Sequence, residues 1–222
     1  SLALGHRYAG LRNANIRLVH DANERLERGL VDRTRELRTT LAQLGEANVK
    51  LQEFSRRDPL TGAYNRRHFH ETLSKALEAT SSKRKSQALL LLDIDHFKRI
   101  NDQYGHLVGD DCLKAVSRCI HDIAQTLNGM AARYGGEEFV LILPGTDARM
   151  ALQTAETVRL RIQQTIIHSH GHVIQLSTSI GVHTIGAEQE ILPEEAIRLA
   201  DEALYRAKHD GRNCVRHSMV VV

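Results

Sequence analysis

Apolar side chains in the first 57 residues recur at the seven-residue spacing that is typical of a coiled coil. With Ile16 as heptad position a, the successive a and d positions are Ile16, Val19, Asn23, Leu26, Leu30, Arg33, Leu37, Thr40, Leu44, Ala47, Leu51 and Phe54. Because a seam that repeats every ~3.5 residues is buried only against another helix, this pattern predicts a long helix that forms a homodimer. The alternative is a single amphipathic helix that packs on its own domain.

The predicted helix is weakest in its middle and ends near residue 57. Arg33 and Thr40 are poor d residues, whereas Asn23 at an a position favours a dimer in fixed register. Asp58 precedes Pro59, and the residue before a proline is pushed away from helical geometry. The sequence therefore predicts two parts, a coiled-coil helix over residues 1–57 and a folded domain over residues 58–222.

The second part alternates between helical and extended patterns. Helices are predicted over residues 66–79, 108–127, 148–167 and 193–210, and strands over residues 88–93, 131–134, 138–143, 173–183 and 214–216. The order is β-α-β-β-α-β with additions. It predicts an α+β fold, in which helices flank a ferredoxin-like, split βαβ sheet.

Composition narrows the class of protein without identifying it. A net charge of only +3 argues against a protein that coats nucleic acid. The longest apolar run, residues 88–92, is far shorter than the roughly 20 residues of a membrane span. Residues 1–5 lack the long apolar stretch expected of a signal peptide. Three cysteines without metal-ligand spacing suit a reducing cytoplasm. Because the first residue is Ser1, the sequence leaves open that the chain is the cytoplasmic part of a larger sensor protein.

Two pairs of acidic residues are the strongest chemical signal. Asp93 and Asp95 end an apolar strand, and Glu137 and Glu138 follow the Gly135–Gly136 pair, where a primed turn would place both glycines at positive φ. Each pair alone fits a solvated strand end or a plain surface turn. In a split βαβ sheet, however, Asp93 and Glu137 come together, and clustered carboxylates repel unless a cation such as Mg²⁺ lies between them. The combination predicts a site for phosphoryl transfer.

These residues resemble the motifs of the GGDEF family of diguanylate cyclases, over about residues 58–216. The matching segments are Asp58–Arg67, Asp93–Asp110, Gly135–Phe139 and Ala200–Asn213. The resemblance implies a palm-like sheet similar to that of nucleotide cyclases and polymerases. It also implies an enzyme that uses Mg (or Mn) to condense two GTP into cyclic di-GMP and two pyrophosphates. The ribose 3′-hydroxyl of one GTP would attack the α-phosphate of the other across a homodimer.

The resemblance assigns a role to each matching residue. It implies that Asp93, the backbone carbonyl of Ile94 and Glu137 bind the metal, and that Glu137 is the base. It implies that Asn101 and Asp110 bind guanine and that Lys208, Arg212 and the backbone at His96 and Phe97 bind phosphates. It implies further substrate contacts for His106, Gly135, Gly136 and Glu138. It implies that Lys98 stabilises transition-state charge. The alternatives are that Lys98, Lys208 and Arg212 are solvated surface charges and that Asn101 caps a helix.

One family motif is missing, and other readings stay open. The Arg-x-x-Asp product-inhibition motif would place its ends at Thr126 and Gly129, so no inhibition through that primary site is expected. The alternating His168, His170 and His172 fit an exposed loop better than a zinc site. Two competing functions are a catalytically inactive receptor for GTP or cyclic di-GMP and a plain coiled-coil interaction protein.

Overall fold

The computed structural model describes residues 17, 18, 20, 25, 26, 28–45, 56–83, 85–187 and 189–218. The chain divides into two compact units, Ser1–Ser55 and Arg56–Val222. Within the described residues, no helix is long and apolar enough to cross a membrane. Of the predicted heptad positions, Ile16, Val19, Asn23, Ala47, Leu51 and Phe54 lie outside the described residues.

In the first unit, residues 28–45 form a helix, α1. Its heptad leucines Leu30, Leu37 and Leu44 are 61–64% exposed in the single chain. The hydroxyls of Thr34 and Thr40 bond to backbone carbonyls one turn earlier. Among the described residues of this unit, no apolar surface covers these leucines.

The second unit contains eight strands and five helices within its described residues. In chain order they are β1 (Tyr64–Asn65), α2 (Arg66–Lys83), β2 (Gln87–Ile94), α3 (Phe97–Tyr104), α4 (His106–Thr126), β3 (Met130–Gly135), β4 (Glu138–Pro144), α5 (Ala148–Gln164), β5 (Ile166–Ser169), β6 (His172–Gln175), β7 (Thr178–Ile185), α6 (Pro193–His209) and β8 (Val215–His217).

Six of the strands form one sheet in the order β1-β3-β4-β2-β7-β8, and β5 pairs with β6 in a separate hairpin. β2 lies near the centre, antiparallel to β4 and to β7. Its burial on both faces explains why residues 88–92 are continuously apolar. The predicted α+β fold with a central sheet covered by helices is confirmed.

Helices cover the two faces of the sheet and form two cores. Leu90 and Leu92 face the side that packs against α4 and α5, and Leu89 and Leu91 face the side that packs against α2 and α6. α6 approaches β7 very closely, because a Cβ added to Gly181 would lie 2.1 Å from the carbonyl oxygen of Ala200. α6 therefore packs directly on β7, and near its end Lys208 contacts Asp93 at the end of β2.

The structure corrects three predicted elements. The helix expected over residues 148–167 ends at Gln164, because the next residues alternate between exposed and buried positions and form β5. The strand expected over residues 173–183 is two strands, β6 and β7, in different sheets. The short helix α3 was not predicted, since its eight residues are mostly polar.

The glycine turn also differs from expectation. Gly135 still pairs with Glu138, so the two-residue loop is Gly136–Glu137, and only Gly136 has positive φ, at 50°. A register shift between Arg133 and Gly135 moves the turn by one residue. Such a bulge re-aims the side chains that follow it, here the two glutamates.

Candidate active site

The end of β2 places Asp93 in a half-buried position on the face of the sheet that α6 covers. Its side chain is 13% exposed, and Lys208 Nζ lies 2.7 Å from its Oδ2. Burial raises the pKa of Asp93, the contact with Lys208 opposes that rise, and the nearby charges of Glu137 and Asp95 add to it. The negative charges around Asp93 therefore favour the binding of a cation beside its carboxylate.

The β3–β4 hairpin brings two more carboxylates to the same place. Glu138 lies directly opposite Asp93 in the ladder, and the backbone N–H of Ile94 donates to the carbonyl oxygen of Glu137 at 3.4 Å. Burial raises the pKa of Glu138, and the charge of Asp93 raises it further. Asp93, Glu137 and Glu138 thus form an acid cluster (the name used below) at one end of the central strands.

An arginine that the sequence did not single out holds the hairpin in place. Arg133 donates from Nε to the carbonyl oxygen of Gly136 at 2.9 Å and from Nη1 to Asp58 Oδ1 at 3.1 Å. Hydrogen bonds from Thr61 and the charge of Arg133 outweigh burial and lower the pKa of Asp58. Residue Asp58, at the start of the domain, is therefore connected to the turn that carries Glu137.

The segment after β2 forms a tight turn, followed by the consecutive helices α3 and α4. His96 has a left-handed backbone with φ 57°, and α3 then begins at Phe97 without a side chain capping its first turn. Phe97 itself is buried and anchors the helix to the core. Backbone N–H groups at such an uncapped start are suited to bind anions.

The packing of α3 on α4 places the side chain of Asn101 against Gly109, the residue before Asp110. A Cβ added to Gly109 would lie 1.9 Å from Asn101 Oδ1, so only glycine allows the amide of Asn101 to lie against the first turn of α4. Asp110 is the next residue and is half-buried. The alternative that Asn101 caps a helix is wrong, because it lies inside α3.

The basic residues divide into two groups. Lys208 is paired with Asp93, which contradicts the alternative that it is a solvated surface charge. Lys98 and Arg212 are exposed, as is His106 at the start of α4. Arg212 lies in a turn after α6 with φ 65°. The structure therefore brings Lys208 directly to the acid cluster, and leaves Lys98, Arg212 and His106 as exposed groups.

Asp95 differs from Asp93 although both end the same strand. It is buried, and it accepts hydrogen bonds from the hydroxyls of Ser177 and Ser179 and from the backbone N–H of Asn213. The burial of Asp95 could not be predicted from its own strand, because all three donors come from distant parts of the chain.

The donor set at the acid cluster suits a hard divalent cation. The charge of Glu137 acts on the carboxylate of Asp93, and the ammonium of Lys208 already supplies a positive charge there. Among the described residues, no three His, Cys, Asp or Glu side chains are close enough to form a complete metal cage. Mg²⁺ characteristically takes one or two carboxylates and keeps the remaining positions for water and substrate phosphates.

Three histidines outside the acid cluster are exposed, and they lie in a hairpin rather than in the predicted loop. His168 is on β5, His170 is in the turn with φ 48°, and His172 is on β6, where its ring lies 5.0 Å from that of Tyr104. They belong to no three-residue metal group within the described part of the chain.

The two positions of the missing inhibition motif lie at the end of α4. Thr126 is exposed and donates from its hydroxyl to the carbonyl oxygen of Ile123 at 2.7 Å. Gly129 has no room for a side chain, because an added Cβ would lie 2.6 Å from the carbonyl oxygen of Ile142. The backbone at this junction therefore packs too closely for an aspartate at residue 129.

Comparison with known proteins agrees with this geometry. The profile of the family described as "Diguanylate cyclase, GGDEF domain" matches residues 55–214. The probable diguanylate cyclase DgcC of Escherichia coli (strain K12) is 37% identical over 78% of this chain and 46% of that protein. The response regulator PleD of Caulobacter vibrioides is 36% identical over 71% of this chain and 35% of that protein. The chain thus spans less than half the length of these curated relatives.

A solved structure of similar fold is the coiled coil and GGDEF domain of DgcB from Caulobacter crescentus, in complex with c-di-GMP. It is 30% identical with a TM-score of 0.76, and the match covers 86% of this chain and 98% of that one. The diguanylate cyclase SiaD from Pseudomonas aeruginosa, solved with its activator SiaC, has a TM-score of 0.72 at 30% identity, over 94% of this chain and 79% of that one.

Proposed function

Because the chain belongs to the family of diguanylate cyclase GGDEF domains, we propose that it condenses two GTP molecules into cyclic di-GMP and two pyrophosphates. The observation that carries the proposal is the acid cluster, in which Asp93, Glu137 and Glu138 meet beside Lys208. A purely structural hairpin gains nothing from three adjacent carboxylates, since their repulsion costs stability.

In this proposal Asp93, Glu137 and the carbonyl oxygen of Ile94 hold Mg²⁺ (or Mn²⁺). The cation, when bound, offsets charge on the transferring phosphate and lowers the pKa of the attacking hydroxyl. Glu137 lies in the loop at the tip of the hairpin, where it accepts the proton of the ribose 3′-hydroxyl. Lys208 contacts Asp93 at 2.7 Å and would be free to contact the triphosphate if a cation took its place beside that carboxylate.

Guanine is recognised on the α3–α4 side of the site. The amide of Asn101 and the carboxylate of Asp110 present the acceptors and donors that match the O6, N1–H and N2–H₂ edge of guanine. The position of Asn101 depends on Gly109, which leaves space for its amide. His106 gives a further substrate contact from the exposed start of α4.

Phosphates are bound by backbone and side-chain donors together. The uncapped start of α3 at His96 and Phe97 offers N–H groups, while Lys208 and Arg212 add charge-assisted hydrogen bonds. Gly135 and Gly136 lack side chains and let the nucleotide approach the hairpin closely, with Glu138 beside them. Lys98, exposed on α3, stabilises charge in the transition state.

Each domain binds one GTP, so two copies must face each other for the reaction to occur. We propose that the exposed leucines of α1 pair with those of a second copy, which raises the effective concentration of one half-site for the other. Leu37→Asp is expected to lower activity at nanomolar protein by on the order of 100-fold and to leave GTP binding by each chain unchanged. Unchanged specific activity at low protein concentration would contradict the role of α1.

Product inhibition through the family's primary site is absent in this proposal. Thr126 cannot supply a guanidinium, and Gly129 lacks room for a carboxylate. Progress curves should therefore stay linear at product concentrations far above the protein concentration. Thr126→Arg alone is expected to leave this behaviour unchanged.

The proposed substrate also bears on location. Three free cysteines among the described residues, two of them buried, suit a reducing compartment, and GTP is a cytoplasmic nucleotide. We therefore place the domain in the cytoplasm.

The test is incubation of the whole chain with GTP and Mg²⁺, followed by chromatography of nucleotides. Cyclic di-GMP and pyrophosphate are expected in a ratio of about one to two from the wild type, and neither from Glu137→Gln. Glu190→Gln, which removes an exposed carboxylate outside the acid cluster, is the matched control and should retain activity. GTP binding without any cyclic di-GMP would instead identify the chain as an inactive receptor.

A further inference from the structure

Asp95 is a buried carboxylate that the proposed chemistry does not use. It is 5% exposed, and its Oδ1 accepts from the hydroxyl of Ser179 at 2.6 Å. Its Oδ2 accepts from the hydroxyl of Ser177 at 2.7 Å and from the backbone N–H of Asn213 at 3.0 Å. Three donors occupy most of the acceptor positions of a carboxylate, so Asp95 binds other parts of the chain rather than a ligand.

The bond to Asn213 lies in a turn with unusual backbone geometry. Gly211, Arg212 and Asn213 follow α6 with φ angles of 105°, 65° and 44°. Residues with a Cβ rarely adopt this left-handed region, because the Cβ crowds the following carbonyl oxygen. Two such residues in succession persist only where surrounding contacts hold them.

Asn213 is held from two sides of the turn. Its backbone N–H donates to Asp95, and its side-chain Oδ1 accepts from Arg159 Nη1 at 2.8 Å. The side chain of Arg159 is 12% exposed and is itself fixed by Glu156 at 2.6 Å and by Gln163 at 2.9 Å. The turn is thus clamped between the end of β2 and the helix α5.

Arg212 immediately precedes Asn213 in this turn. Its side chain is charged and exposed, and it follows the end of α6, where Lys208 contacts Asp93. The contacts to Asn213 hold the backbone of the turn, and they therefore set the direction in which the Cα–Cβ bond of Arg212 leaves it.

We infer that Asp95 and Arg159 are positioning residues that, through Asn213, fix Arg212 to bind the β- and γ-phosphates of the nucleotide. The inference rests on the proposed function for the identity of that nucleotide. It predicts a role in triphosphate binding for two residues that lie away from the ligand. A purely structural role predicts loss of stability alone.

The test is a double-mutant cycle read by titration calorimetry with Mg²⁺ and 3′-deoxy-GTP, which lacks the attacking hydroxyl and is not consumed. Asp95→Asn is expected to weaken 3′-deoxy-GTP binding about tenfold, the loss of one charge-assisted phosphate contact. Binding of GMP, which has no β- or γ-phosphate, should change less than about twofold. In an Arg212→Ala background, Asp95→Asn should have no further effect, because the residue through which it acts is gone.

Two further variants separate positioning from folding. Arg159→Gln reaches Asn213 from the opposite side, and the same selective loss of 3′-deoxy-GTP binding is expected even where Asp95→Asn folds poorly. Asp147→Ala removes the cap of α5, where Asp147 Oδ1 accepts from the N–H of Met150 at 2.8 Å, and serves as the control. It should lower the melting temperature without changing the ratio of the two affinities.

The inference is overturned if Asp95→Asn and Arg159→Gln weaken GMP and 3′-deoxy-GTP equally, or if Asp95→Asn has the same effect with and without Arg212. The proposed function fails separately. Wild-type chain that binds 3′-deoxy-GTP but forms no cyclic di-GMP from GTP is not a cyclase, and the cycle still tests Arg212. Wild-type chain that binds neither nucleotide refutes both.

Discussion

The middle of the central strands consists of buried apolar side chains, whereas the end of the same strands brings carboxylates together. Leu89 to Leu92 of β2 are at most 4% exposed and pack against helices on both faces. One residue later, Asp93 meets Glu137 and Glu138, and burial raises the pKa of both Asp93 and Glu138. The middle gains stability from every contact, whereas the end keeps like charges together at a cost in stability.

The difference shows which part of the domain is arranged for folding and which for ligand binding. His96 and Arg212 lie in left-handed turns at the charged end, and Asn128 and His170 are left-handed in turns elsewhere. Strain and repulsion that surrounding structure maintains are typical of functional sites. The comparison makes quantitative predictions, because substitutions in the two regions should change stability in opposite directions.

The largest effect is expected in the middle of the sheet. Leu90→Ala removes a fully buried side chain and should lower the free energy of unfolding by about 3–5 kcal/mol, the range for cavity-forming substitutions. Urea denaturation of the second unit measures this loss. Leu37→Ala, at an exposed leucine of α1, is the matched control and should leave that transition unchanged. A loss below about 1 kcal/mol for Leu90→Ala would contradict the assignment of this core.

The next effect is a dependence on pH that comes from His183. Its ring is 4% exposed and bonds through Nδ1 to the hydroxyl of Ser218 at 2.8 Å. Burial, with a smaller contribution from His217, lowers the pKa of His183 from 6.5 to about 4. The unfolded chain therefore binds the proton first, and stability should fall as pH drops from about 6.5 to about 4, by at most about 3 kcal/mol.

The measurement is the melting temperature at successive pH values, compared with that of His183→Gln. The variant lacks the titrating ring, so its stability should change less over this interval. Equal slopes for the two proteins would show that His183 does not remain neutral in the folded state.

A smaller effect is expected at Arg133, which connects Asp58 to the hairpin. Arg133→Met removes hydrogen bonds to a charged carboxylate and to the carbonyl oxygen of Gly136, and should cost about 2 kcal/mol. Because the pKa of Asp58 is lowered, its contribution is present above the ordinary carboxyl pKa and disappears as pH falls. Hydrogen exchange should become faster at the amides of the hairpin. Arg133→Lys, which keeps the charge but not the fork, should restore only part of the loss.

The fold was largely predictable because the strongly patterned elements form their cores as the pattern indicates. β2 and β4 are continuous apolar runs, and the longer helices carry apolar stripes, so local sequence was sufficient. The β5–β6 hairpin was missed because Ile166 and Ile167 continue the apolar pattern of α5. α3 was missed because the tertiary contact of Phe97 and the packing of Asn101 on Gly109, rather than periodicity, stabilise it.

The site was predictable where its residues belong to a motif and unpredictable where they act through distant contacts. Asp93 and Glu137 stand in recognisable segments, and the sheet brings them together. The resemblance assigned the metal to Asp93 alone, but the burial of Asp95 was not predictable, because its partners lie more than 80 residues away along the chain. The role of Arg159 was equally unpredictable, since its contact with Asn213 depends on how α5 packs.

The smallest effect has the opposite sign and belongs to the charged end of the sheet. Glu138→Gln removes one of the three carboxylates of the acid cluster and should raise the free energy of unfolding at pH 7 by less than about 1 kcal/mol, since the group is partly solvated. Because its folded pKa is raised, protonation already removes the repulsion at low pH, so the gain should vanish below the ordinary pKa of a glutamate. Melting temperatures at pH 7 and at acidic pH measure it, with Glu190→Gln as the control for an isolated exposed carboxylate. Destabilisation at pH 7 would mean that the two regions of the strands do not differ as described, and that Glu138 is held by a favourable contact instead of repelled by Asp93.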